Sequence, residues 1–218
     1  MRRRRGGLAT PAAALAIVLA LAPVAAGAVA RCPDLAGSED AIVEVEVLLT
    51  LTEFPGSDAK EGCVVGYVPA APEEVMAVLR DAGSYEEYMP RVKSSEVSIG
   101  QGGVVLNRQE LDLPFPIGDR HFTIRLNEQR SEDGAFRLGF TYVKGSGNVK
   151  DTRGHWLVEP WRGGSRVTYV LWSDPGGAIP KWAINRASRR TLPDVVIALR
   201  DRVRAASESL GEGDRPAS

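Results

Sequence analysis

The middle of this chain reads as strand after strand, and no other feature constrains its fold as tightly. Apolar runs at residues 92–99, 104–113, 120–129, 136–143, 152–159 and 166–172 are separated by turn-rich joints at 100–103, 131–134, 145–148 and 162–165. Consecutive strands joined by turns that short pair as antiparallel neighbours. Two more strands are predicted upstream. One covers residues 41–50, where Val43, Val45 and Val47 alternate with Glu44 and Glu46, and the other covers 63–68. Pro69 and Pro72 end the second and open a helix, with Glu73 and Glu74 in its first turn and Val75, Met76, Val78 and Leu79 on its apolar side. Residues 81–83 break it.

From Ile179 the apolar period changes from two to that of a helix. Leu192, Val195, Val196, Leu199, Val203, Ala206 and Leu210 recur three or four apart, a single long stripe. Pro193 predicts a break or kink near Thr191. The class is therefore α+β. A curved antiparallel sheet can bury one face only against another element, and the final helix carries the one extended apolar stripe available. The helix is expected to lie across the sheet, with a cavity between them if they enclose more space than their side chains fill.

The first thirty residues carry the marks of an export signal. Four arginines at positions 2–5 precede an apolar stretch at 8–24 and the small residues Ala28, Val29 and Ala30 at a cleavage point. A retained anchor is the competing reading, but Pro11, Pro23 and many alanines leave the stretch short of about 20 strongly apolar residues. Arg31 before Cys32 is the wrong neighbour for a lipidated N-terminus. Cleavage after Ala30 takes Lys and Arg from 27 to 23 against 28 Asp and Glu, a formal charge of −5, which argues against nucleic acid as a partner. The expected layout is a signal peptide at 1–30, an N-terminal segment at 31–40, one domain at 41–210 and a disordered tail at 211–218. The compartment is periplasmic or extracellular. There Cys32 and Cys63 can pair, tying the N-terminal segment to a strand; two free thiols, one of them buried, is the alternative.

Residues 167–185, V-T-Y-V-L-W-S-D-P-G-G-A-I-P-K-W-A-I-N, combine a last strand, an aspartate-plus-glycine turn and an I-P-x-x-x-x-N entry into the final helix. With A-P-E-E-V at 71–75, Y-E-E-Y-M-P at 85–90 and P-F-P-I-G-D-R at 114–120, this resembles the START-like (SRPBCC) superfamily of lipid-transfer domains and polyketide cyclases. The resemblance spans residues 40–208 and implies a helix-grip fold, a curved antiparallel sheet wrapped around a long C-terminal helix. It departs at His121, where relatives commonly carry an acid after the arginine, and any inherited salt bridge there is in doubt.

The resemblance also implies a ligand between the concave sheet face and the final helix. Strand parity then selects Phe122, Ile124, Phe140, Tyr142, Trp156, Tyr169 and Leu171 as ligand-binding residues, alongside Leu126, Phe136, Leu138, Val158 and Val167 on the same face. Ile179 and Trp182 are expected to close one end. For each of these, packing against the helix is the plain alternative. Arg120, His121, Arg125, Tyr142, His155 and Tyr169 are the polar residues available to orient a head group. His121 and Arg125 have outward parity, and the two tyrosines inward parity.

Two histidines, no Gly-x-Ser-x-Gly and no Cys-x-x-Cys give no set of catalytic or metal-binding residues, and no cofactor is expected. Lys181, Arg186, Arg189 and Arg190 around Trp182 read first as a solvated helix face and second as a patch for transient contact with anionic lipid. The leading expectation is a monomeric, non-enzymatic protein whose partner is a lipid or other hydrophobic small molecule. A polyketide cyclase or dehydratase is the alternative, with Arg120, His121 and Tyr142 as its reactive groups. A third reading is an interaction module whose pocket is filled by its own side chains, marked by a cavity well under about 300 Å³.

Overall fold

The computed structural model of the chain describes Cys32, Ile42 and residues 47–212. The export-signal reading falls outside those residues. Eight strands, β1 (Leu48–Thr52), β2 (Glu61–Val68), β3 (Val92–Ile99), β4 (Val105–Leu111), β5 (Arg120–Arg130), β6 (Phe136–Tyr142), β7 (Asp151–Trp161) and β8 (Gly164–Asp174), form one antiparallel sheet. Their order is β1-β2-β8-β7-β6-β5-β4-β3. Only the β2–β8 pair is not sequential, and it closes the N-terminal hairpin onto the last strand.

Helix α1 (Pro72–Arg80) and the short α2 (Tyr85–Tyr88) carry the chain from β2 to the far edge at β3. Pro72 stands at the first helical position, where no partner for an N–H exists anyway, and the Glu74 carboxylate accepts a 2.7 Å hydrogen bond from the Ala71 N–H. Arg80 at the other end donates a fork to Glu128 of β5, at 2.9 and 2.7 Å, and a 2.6 Å bond to Glu73. α1 is thereby fixed over the sheet, with Val75, Met76 and Leu79 buried beneath it.

The last helix, α3 (Lys181–Glu212), is unbroken, and Pro193 lies inside it. Of the break or kink expected near Thr191, the break is corrected, and the helix also runs two residues into the segment read as a tail. Pro193 removes one backbone hydrogen bond. Leu192, Val196, Leu199 and Val203 are all buried and hold the helix down on both sides of it. The approach to β2 is close enough to require glycine. A Cβ at Gly62 would stand 2.2 Å from Leu192 Cδ1, and one at Gly66 would stand 2.9 Å from Val196 Cγ1.

The first strand is also corrected. It begins at Leu48, while Ile42 is helical and residues 43–46 lie outside the described ones. Short alternation suits a strand but does not set its limits; β1 pairs only with Glu61–Val65 of β2, and that ladder fixes its span. On the back of the sheet Cys32 and Cys63 are disulfide-bonded. Cys63 packs there with Ile42, Val65 and Val170 in a small second core.

Candidate functional site

The main core and the cavity divide the space between sheet and helix. Phe136, Val158 and Val167 sit opposite one another on β6, β7 and β8, and with Val75, Met76, Leu79, Leu199 and Val203 they fill the space under α1 and the C-terminal half of α3. The next layer along the strands is Leu138, Trp156 and Tyr169. Beyond it a cavity of about 220 Å³, partly open to solvent, lies against Ile184, Ala187, Ser188, Thr191, Leu192 and Val195 in the N-terminal half of α3.

Its walls are mainly apolar. β5 contributes Phe122, Ile124 and Leu126, β6 Leu138 and Phe140, β7 Trp156, and β8 Tyr169 and Leu171; Met89, Val92, Leu111, Leu113 and Ile117 complete the far side. Six of the nine expected ligand-binding residues, Phe122, Ile124, Phe140, Trp156, Tyr169 and Leu171, therefore line one space. Tyr142, Ile179 and Trp182 do not. Tyr142 ends β6 and lines a separate surface cleft with Lys144, Lys150 and Asp174, because parity reports which face a residue takes and not how far along the strand the cavity reaches. Ile179 is half-buried outside the cavity, and Trp182 is 65% exposed. The first turn of α3 turns Ile184 inward in its place.

The polar candidates separate as sharply. Arg120 does not line the cavity and donates to backbone carbonyls, from Nε to Pro175 at 2.9 Å and from Nη1 to Asp119 at 2.9 Å, stapling the start of β5 to the turn before α3. His121 and Arg125 are exposed. His155 is half-buried on the back of the sheet, where burial and then the nearby Arg137 push its pKa down to about 4. Tyr169 alone of the six faces the cavity. Its ring stacks on Trp156 with centroids 4.2 Å apart, and burial raises its pKa well above the ordinary phenol value.

Sequence reasoning missed Gln109 and Tyr85. Gln109 shares the inward parity of Leu111 on β4 and sits opposite Phe122, which was the available signal. Its amide nitrogen donates to Asn107 Oδ1; Asn107 Nδ2 donates to Ser95 Oγ at 2.8 Å, and Ser95 Oγ donates to the Ala82 carbonyl at 2.6 Å. Tyr85 Oη donates to the Leu79 carbonyl at 2.7 Å, so its hydroxyl is already engaged. The charged lining residues are Lys60, ion-paired to Glu53 at 2.6 Å, and the exposed Arg91. Among the described residues no group of three or more His, Cys, Asp or Glu side chains converges.

A helix gripped by a curved sheet around an apolar hollow defines a class of ligand-binding fold, and sequence comparison places the chain within it. Residues 68–200 match the family described as "Polyketide cyclase / dehydrase and lipid transport", and the chain belongs to that family, within the START-like superfamily. An uncharacterized protein of Pseudomonas aeruginosa, PA1579, is 26% identical over 170 residues, covering 74% of this chain and 82% of that one. The crystal structure of a STAR-related lipid transfer protein from Xanthomonas axonopodis is 27% identical with a TM-score of 0.65, covering 72% of this chain and 93% of that one. Human StAR-related lipid transfer protein 5 has the same fold at 16% identity and a TM-score of 0.63, covering 79% of this chain and 97% of that one.

Proposed function

We propose that this chain is an exported lipid-binding or lipid-transfer protein that carries out no chemistry on its ligand. The observation that carries the reading is the cavity, mainly apolar in its lining and partly open to solvent, between the sheet and the N-terminal half of α3. Burial of ligand hydrocarbon there at about 25 cal/mol per Å² supplies the affinity. Its volume of about 220 Å³ is below the ~300 Å³ floor of pockets for drug-sized ligands. It exceeds the ~150 Å³ apolar cavity that is enough to hold benzene. A single hydrocarbon chain or a compact ring system suits it; a two-chain lipid requires the walls to part. The small volume is also the one observation that favours the filled-core reading, and ligand uptake separates the two.

Binding is favoured over a cyclase or dehydratase activity by the placement of the reactive candidates, since Arg120, His121 and Tyr142 all lie outside the cavity. Export is supported by the arginine-led apolar N-terminus and by the Cys32–Cys63 bond. Contact with a membrane as the pocket loads is supported by Phe115, 96% exposed in the loop that carries Leu113 and Ile117 to the cavity, and by Trp182. Arg186, Arg189 and Arg190 stand beside Trp182 without an ion-pair partner among the described residues. The protein works as a monomer in this reading.

The test is transfer of a fluorescent single-chain lipid between vesicles containing anionic lipid. The full mature protein accelerates transfer, and Phe115→Ser with Trp182→Ser slows it while equilibrium uptake is kept. Uptake without any transfer leaves a binding protein and removes the carrier role. The N-terminus of the protein recovered from the producing cell tests export, which requires a chain beginning at Arg31.

A further inference from the structure

Three hydroxyls that line the cavity, on Tyr169, Ser173 and Thr191, have no hydrogen-bond partner among the described residues. Tyr169 lies in the layer next to the packed core, at the inner end of the cavity, and among the described residues its Oη makes no hydrogen bond. Among the described residues no fully enclosed side-chain polar atom lacks a partner. The Tyr169 hydroxyl therefore has open space in front of it, and the space it lines is the cavity. A ligand that fills this space without matching the hydroxyl strips it of water at a cost, which a hydrogen-bonding ligand group at this point avoids.

The chemistry of that group follows from what surrounds it. The Tyr85 proton is committed to the Leu79 carbonyl, which leaves its oxygen only as an acceptor. Gln109 contributes a carboxamide whose nitrogen is tethered to Asn107, leaving its oxygen as an acceptor. The two cations that line the cavity, Lys60 and Arg91, are on solvent-accessible positions, and Lys60 is paired with Glu53. An ionised carboxylate or phosphate at the inner end would lose its hydration with no cation to replace it. Burial acts on the site's own groups in the same sense, pushing the Tyr169 and Tyr85 phenols away from ionisation.

We infer that the ligand is an uncharged lipid alcohol, inserted polar end first, with its hydroxyl on Tyr169 Oη and its hydrocarbon along the apolar walls that include Ile184 and Ile117. This rests on the binding reading above and specifies which lipids that site takes. A phenol both donates and accepts, so it matches a hydroxyl in either sense.

Displacement of the apolar fluorescent probe N-phenyl-1-naphthylamine from the mature protein tests it, with 1-dodecanol and dodecanoate as competitors at a pH where the acid is ionised. The alcohol is expected to compete more than about tenfold better than the carboxylate. Tyr169→Phe removes only the hydroxyl, which bonds to no other protein group among the described residues. It should weaken 1-dodecanol about five- to tenfold and leave probe affinity and melting temperature unchanged. Equal competition by dodecanoate, or an alcohol affinity untouched by Tyr169→Phe, overturns the inference while the pocket reading stands. Failure of the probe to bind either protein removes the pocket reading, and this inference with it.

Discussion

Two leucines on one face of α3, about two turns apart, report on whether the hollow exists in solution. Leu199 is fully buried where core side chains meet α3 on every side, whereas Leu192 is 4% exposed and also borders the cavity. Truncation of Leu199 to alanine loses the transfer free energy of its side chain and leaves a void that packed neighbours cannot fill, a cost of about 3–4 kcal/mol. Truncation of Leu192 merges with space already present. The void term of roughly 24 cal/mol per Å³ then largely drops out, and the expected cost is about 1–2 kcal/mol. Urea unfolding of the mature disulfide-bonded protein, followed by tryptophan fluorescence, measures both. Leu192→Ala should also change probe affinity, while Leu199→Ala should not. Equal destabilisation by the two would mean that α3 packs on a filled core along its whole length, and the reasoning from the cavity would be wrong.

Three other outcomes follow from the described interactions. Replacing both Cys32 and Cys63 by serine opens a 31-residue separation and should cost about 2–4 kcal/mol in urea unfolding, with little effect on probe binding because the bond lies behind the sheet. Asn107→Ala removes both the donor to Ser95 and the acceptor for Gln109 at a fully buried position, and should destabilise by about 2–3 kcal/mol in the same assay. His155 is held neutral in the folded chain with a pKa of about 4 against an ordinary 6.5. The unfolded chain thus binds the extra proton first, and stability present above pH 6.5 is lost as the pH falls toward 4. Melting curves across that window should flatten in His155→Gln relative to the wild type.

The sheet was legible because its information is local. Gly145, Gly163 and the neighbouring turn residues punctuate runs whose alternation survives in the buried faces of β5 and β6, and Pro72 with Glu74 marks the start of α1. Where the outcome depends on distant contacts, the sequence pattern misled. The unbroken course of α3 through Pro193 is held by residues of the opposing core, and the start of β1 is set by pairing with β2. The candidate site shows the same divide. Parity found the inward faces, including Tyr169, yet Tyr142 lies beyond the reach of the cavity and Trp182 turns outward. Gln109 escaped notice because a polar residue on an apolar parity looks like an exception until its partners Asn107 and Ser95 are seen.

Comparison of the intact native mass with the denatured mass of protein purified without detergent, after export from its own cell type, bears most directly on the account. A native species heavier by the mass of one uncharged, single-chain or compact lipid, recovered on solvent extraction, is the predicted result. A protein that carries no added mass and takes up neither the fluorescent probe nor 1-dodecanol would contradict it.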